Sequence, residues 1–410
     1  MRGKFCFGMA LTVVCGLLLP GCASRSTPTP ADQAIALQKV VDRGYVPERR
    51  YSTTSLADNW VYDDIPLEIA LVAPSENGMY PLIVYLPGLG ESAKAGILWR
   101  SAWAKAGYVV LSVQPATVGE AVLRSKPALA GNFEELATEH FSSRSLDARA
   151  RIVAFVLAEA KRRAASGAAR YSSIDATRVA VAGYDLGAQT ASAIAGKATG
   201  GIDVQAADRD VRAVILLSPY AGATTGLAQR FAGISIPVLL VTGTEDGDPF
   251  GIVSSNSRVA PWEFMPAGDK YLLLLSGGTH AVLAGSDMAP VGGGGSAERA
   301  SDSGDKPRSK DRRSKWAATD GLSPESPLAE DDNGPSPGSD ARGNGKSGSR
   351  NGRRSAGGTA RLFDVRHIAD VQGVTTAFLD SVLKKDATAR NWLAGDAFGW
   401  IGDSGVLRIK

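Results

Sequence analysis

Beyond residue 22 the chain has no cysteine. Its three cysteines, Cys6, Cys15 and Cys22, all precede the body of the 410-residue sequence. A disulfide framework and a cysteine metal site are thereby excluded from that body. Histidine is equally scarce. His140, His280 and His367 are the whole supply, so chemistry that needs an imidazole has three candidates. Charge of one sign is also lacking. A formal net charge of +3, with no basic stripe interleaved with aromatics, gives no reason to expect nucleic acid as a partner. No cofactor and no metal are expected. With 44% hydrophobic and 21% charged residues, the composition is ordinary for a globular chain of one large domain or two small ones.

What is present begins with an address. Arg2 and Lys4 precede an apolar run, Phe5 to Leu19. That run is short for a membrane span of roughly 20 residues and fits a secretory signal. It ends in Leu19-Pro20-Gly21-Cys22, which resembles the bacterial lipobox, with Pro20 an uncommon choice inside it. The resemblance implies a signal peptide over 1–22, lipidation at Cys22 and anchoring without spanning. Ala23 follows the cysteine where an aspartate would imply inner-membrane retention, which points to the outer membrane of a bacterial envelope. The polar segment 23–33 then reads as a tether.

The body, 34–286, alternates apolar runs with helical spacing. "IPLEIALVAP" (65–74) alternates as an edge strand would, and "PLIVYLPGLG" (81–90) carries a buried strand. A short helix and the strand "YVVLSVQ" follow. Residues 145–164 have apolar positions three and four apart, the spacing of a long amphipathic helix. Then come a strand at 178–183, a helix at 187–197, and strands at 211–220, 236–246 and 270–278. Strands rich in Val, Ile and Leu on both faces, alternating with helices, predict an α/β fold with a mostly parallel sheet covered on both sides. Residues 287–360, rich in Gly, Ser, Asp and Arg, bury too little to offset their ordering entropy and read as a disordered insertion. Residues 361–410 resume the same core with a helix, "VTTAFLDSVLKK".

The stretch "VAVAGYDLGAQTA" (179–191) reads as strand, sharp turn and helix. Gly183-Tyr184-Asp185-Leu186-Gly187 fits the G-x-nucleophile-x-G elbow, with aspartate at the central position. "LIVYLPGLGES", "LLVTGTEDGDP" and "LLLLSGGTHAVLAG" stand around it in order. Together these motifs resemble the α/β-hydrolase superfamily, nearest its dienelactone-hydrolase-like and secreted esterase-like members without a large cap. The resemblance covers the chain from about residue 60, less the insertion. It implies Asp185 as nucleophile, Asp246 as acid with Asp248 in reserve, and His280 as base. It also implies an oxyanion hole from the backbone N–H groups of Leu89 and Leu186. His140 and His367 lie outside such a setting. Tyr184 and Tyr220 stand near strand ends without an assigned role.

Aspartate changes the chemistry. A carboxylate attacking an ester carbonyl would give a high-energy mixed anhydride, whereas attack on saturated carbon gives an alkyl ester that water can cleave. Dehalogenases and epoxide hydrolases of the superfamily use an elbow aspartate in that way. They usually carry a helical cap, for which the roughly 15 residues between the strands at 211–220 and 236–246 leave no room. They also often have Trp after the aspartate, where this chain has Leu186. Two functions therefore stand open. One is an anchored hydrolase acting on an ester-like or electrophilic small molecule. The other is an inactive lipoprotein of the same fold that binds a ligand or an envelope partner.

Overall fold

The computed structural model describes residues 29–168, 171–196, 210–222, 226–286 and 359–410. The signal segment, Cys22 and nearly all of the expected insertion lie outside the described residues. Of the expected tether only its end is described, and there Pro30 opens the first helix, α1 (Pro30–Val41), capped by Thr29.

Nine strands form one sheet in the order β1-β2-β4-β3-β5-β6-β7-β8-β9. They are β1 (Thr53–Tyr62), β2 (Ile65–Pro74), β3 (Tyr80–Leu86), β4 (Val109–Pro115) and β5 (Ile174–Tyr184), then β6 (Val211–Leu217), β7 (Val238–Glu245), β8 (Lys270–Thr279) and β9 (Gly405–Ile409). The pairs from β4 through β8 are parallel; β1, β2 and β9 join antiparallel. The fold is therefore of the α/β class. β1 and β2 make a two-residue hairpin at Asp63 and Asp64, whose φ of 48° and 61° suit a turn that twists with its strands. This hairpin revises one expectation. β2 is not an edge, because β1 covers its outer side.

The sheet is apolar on both faces. Along β3, Leu82 and Val84 join one cluster while Ile83 and Tyr85 join the other. The second face is covered by α1, α2 (Ile97–Lys105), α10 (Thr359–Leu383), α11 (Ala387–Ala394) and α12 (Asp396–Ile401). α10 buries Val371, Val374 and Phe378 at helical spacing. The first face is covered by α5 (Ser143–Ala165) and α6 (Leu186–Ile194), with Phe231 of α7 (Leu227–Phe231) and Trp262 of α8 (Ala260–Phe264) joining the cluster. Each large side chain so buried contributes about 1.5–3 kcal/mol.

Between β4 and α5 the chain makes a 3₁₀ turn (Glu120–Arg124), α3 (Lys126–Leu129) and α4 (Phe133–His140). Val118, Val122, Ala128, Leu136 and Phe141 of this stretch form a third, smaller cluster with Leu89 and Leu186. Tyr220, Phe250 and Ile252 pack against it. These residues follow β3, β5, β6 and β7, so the cluster lies at the strand C-terminal ends. No helix among the described residues is long and apolar enough to cross a membrane.

Candidate functional site

The turn after β5 is built by close backbone contact. A Cβ on Gly187 would stand 1.9 Å from the Leu86 carbonyl oxygen, and one on Gly183 would stand 2.3 Å from the Gly187 carbonyl carbon. Only glycine allows strand, turn and helix to approach so closely. Between them Asp185 takes φ 52° and ψ −110°, a sparsely populated conformation for a residue with a side chain. Its N–H donates to the Leu217 carbonyl at 3.0 Å, and its carbonyl accepts from Gln189 N–H at 3.1 Å as α6 begins. The strain is thus held by β6 on one side and the helix on the other.

Asp246 directly follows β7. His280 opens α9 (His280–Ala284), whose Thr279 cap accepts from the Val282 N–H. His280 Nδ1 lies 2.9 Å from Asp246 Oδ1. A carboxylate can only accept, so this contact is a hydrogen bond when Nδ1 carries the ring proton. His280 Nε2 lies 4.0 Å from Asp185 Oδ1. The three residues expected to act together are therefore one constellation. Asp248 is not part of it. Its carboxylate caps a turn, accepting from the N–H groups of Phe250, Ile252 and Val253 at 3.2, 2.6 and 3.1 Å.

Asp246 is wholly buried and heavily solvated by protein. Thr242 Oγ1 donates to Oδ2 at 2.7 Å. Ser218 Oγ donates to the same carboxylate, at 2.5 Å from Oδ1 and 2.7 Å from Oδ2, and lies 2.8 Å from His280 Nδ1. Arg258, also wholly buried, places Nε 3.1 Å from Asp246 Oδ1. Burial alone would raise the Asp246 carboxyl, but the His280 bond, the Arg258 charge and the Ser218 hydroxyl outweigh it and hold it below the usual carboxylate range. Asp185, 2% exposed, goes the other way. Burial raises its carboxyl, against the fields of His280 and Arg258 and a bond from the Leu186 N–H. The two aspartates are pushed apart by environment, a pattern typical of functional sites.

Leu89 and Leu186, the expected oxyanion donors, are both buried and share the small cluster over the strand ends. Beside them Gly88 N–H donates to Glu91 Oε2 at 2.8 Å, and Gln114 Nε2 donates to the Gly88 carbonyl at 2.8 Å. Burial pushes the Glu91 carboxyl up to about 7; the Gly88 bond lowers it and the Asp185 charge raises it. Tyr184 lies against His280 with ring centroids 5.0 Å apart, and its hydroxyl donates to the His280 carbonyl at 3.0 Å. Arg149, on α5, ties the elbow helix to the α4 corner. It donates to Thr190 Oγ1, Gln189 Oε1 and the His140 carbonyl at 2.9, 2.5 and 2.6 Å. His367 bonds the Ser276 carbonyl at 3.1 Å, away from this constellation, and Tyr220 packs edge-on against Phe141.

Sequence reasoning missed Ser218, Thr242, Arg258 and Glu91. Thr242 and Ser218 sit inside or just after apolar strands, where hydroxyls pass as strand residues. Arg258 lies on a 3₁₀ turn (Ser255–Val259) in a serine-rich stretch, where an arginine reads as solvated. No protein-family profile matches the chain, and no curated protein sequence matches it significantly.

Proposed function

We propose that this chain is a hydrolase of the α/β-hydrolase fold in which Asp185 is the nucleophile, His280 the base and Asp246 its anchor. The strand order, the elbow and the succession Asp185, Asp246, His280 after β5, β7 and β8 support the fold assignment. The single observation that carries the activity is the imidazole set between two carboxylates, one at 2.9 Å and one at 4.0 Å. The proposal keeps the lipid anchor at Cys22 and an envelope location, with the outer membrane ahead of the inner.

The chemistry follows from the carboxylate. An Asp185 oxygen attacks an electrophilic saturated carbon, and the leaving group departs with its electron pair. The product is an alkyl ester on Asp185. His280 Nε2 then takes a proton from water, and the hydroxide adds to the ester carbonyl of Asp185. The N–H groups of Leu89 and Leu186 receive the oxyanion. Its collapse expels the alkyl oxygen, which takes the proton held by His280 and leaves as an alcohol. The acid left on Asp185 releases its proton to solvent, restoring the carboxylate. The apolar cluster of Leu89, Val118, Val122, Leu136, Phe141 and Leu186 suits a substrate with an apolar body.

The second reading, a binding protein without turnover, draws on one feature. The Gly88 N–H is taken by Glu91 and the Leu186 N–H by Asp185 itself, so two donors near the elbow are already engaged. Intact mass of a His280→Gln chain lacking residues 1–22, exposed to alkyl halides, epoxides and activated esters, separates the two. An adduct mapped to Asp185 is the expected result. A folded protein with no adduct across the panel favours the binding protein.

A further inference from the structure

In general, a carboxylate within a few ångströms of an imidazole favours the charged ring. As an imidazolium His280 would bridge Asp185 and Asp246. The bridge would leave Nε2 without a lone pair and would tie up the Asp185 oxygen facing it. Neither group could then do what the hydrolase reading asks of it. The structure contains a group placed to prevent this.

Arg258 is wholly buried. Its Nε donates to the Asp246 carbonyl at 2.8 Å and stands 3.1 Å from Oδ1 of the same residue. Nη1 donates to the carbonyls of Ser218 and Pro219 at 2.8 and 3.3 Å. Nη2 lies 3.3 Å from His280 Nδ1. The guanidinium is thus fixed on three sides, behind the acid and beside the ring. A buried cation so held is a fixed charge, since guanidinium does not deprotonate in proteins. Among the groups in direct reach of the imidazole, two carboxylates and one guanidinium sum to one negative charge. A serine-based triad, with neutral serine and a single carboxylate, carries the same sum.

We propose that Arg258 is a positioning residue that compensates for the carboxylate at the elbow. It cancels the charge of Asp246, so that His280 keeps a single ring proton and Asp185 remains a free carboxylate. Other charged groups around the ring do not supply this. Glu91 and Asp248 are acids, and Tyr184 presents its ring. Arg149 is committed to Thr190, Gln189 and His140, and its charge acts on Asp185 rather than through any contact with the ring. From α10, packed against α9, His367 bonds Ser276 and Asp370 is held by Ser404 and Arg366. The purpose of the compensation rests on the hydrolase reading; the charge state itself does not.

The test is nitrogen NMR at pH 7 on the intact protein, labelled in its three histidines, which reads protonation at each ring nitrogen without any substrate. In the unaltered protein His280 should show one protonated and one bare nitrogen. Arg258→Gln should raise the ratio of doubly to singly protonated ring about tenfold, equivalent to one logarithmic unit in proton affinity. Arg258→Lys, which keeps a charge on a shorter reach, should fall between. Adding Asp185→Ser to either variant should return the ring to its neutral form, which a merely loosened site would not do. A doubly protonated ring in the unaltered protein overturns the proposal outright. So does an unchanged ring in Arg258→Gln, or in Arg258→Lys if the glutamine variant does not fold. The adduct experiment is independent: adducts without the Arg258 effect sink only the compensation, and the effect without adducts sinks only the hydrolase.

Discussion

The Leu86 carbonyl oxygen stands where a side chain on Gly187 would begin, 1.9 Å from the ideal Cβ position. Because the obstacle is backbone at the end of β3, neither partner can step aside by changing rotamer. Gly187→Ala should therefore cost about 3 kcal/mol, at the upper end for overpacking. Gly399→Ala in α12 is the control, since nothing lies within 4 Å of its ideal Cβ. There the helix preference of alanine should add about 0.5–1 kcal/mol. Urea midpoints of the two variants should move in opposite directions.

Asp185→Asn should stabilise the fold, increasingly so as pH rises. Burial holds the Asp185 carboxyl above its ordinary value, so the folded state keeps a proton that the unfolded state releases. The stability tied to that proton is complete below the unfolded value of about 4 and is lost as pH rises through the folded one. Asparagine tolerates the positive φ and carries no charge to bury. Thermal midpoints of variant and parent should coincide near pH 4 and diverge by pH 8. Parallel curves would mean that the carboxylate is not destabilised by its site.

Glu91 works in the same sense over a defined window. Its carboxyl is raised from 4.5 to about 7, chiefly by burial, so its contribution to stability fades between those two values. Glu91→Gln keeps an oxygen that can accept from Gly88 N–H but has nothing to ionise. At pH 8 the variant should exceed the parent by about 2 kcal/mol, less than full linkage because the side chain is partly open to water. Denaturant titrations at pH 4.5 and pH 8 read the difference directly.

Much of this architecture was legible because parallel strands buried on both faces leave unbroken apolar runs. β3, β5, β7 and β8 could be located from such runs within a few residues. β1 and β9 could not. "TTSLADNWVY" carries the polar residues of an outer strand, and "GVLRI" is only five residues long. The misplacement of β2 has a similar origin. Alternation reports what each face of a strand meets, whereas an edge is defined by pairing, which β1 supplied from outside the pattern. At the site, Asp185, Asp246 and His280 were singled out by the resemblance of their motifs to a known family, and the fold brings the three side chains together. Arg258 had no such marker, because its meaning comes from a carboxylate twelve residues earlier and an imidazole twenty-two residues later, brought together only by the fold.

The Asp246–Arg258 pair has a consequence for how this sequence can change over generations. Both side chains are fully enclosed, and each satisfies the other's charge. Losing one partner of such a pair costs about 3–5 kcal/mol, whereas replacing both with well-fitted apolar groups can cost nothing. A single substitution at either position should thus cost more than a paired exchange, so positions 246 and 258 are expected to change together rather than singly.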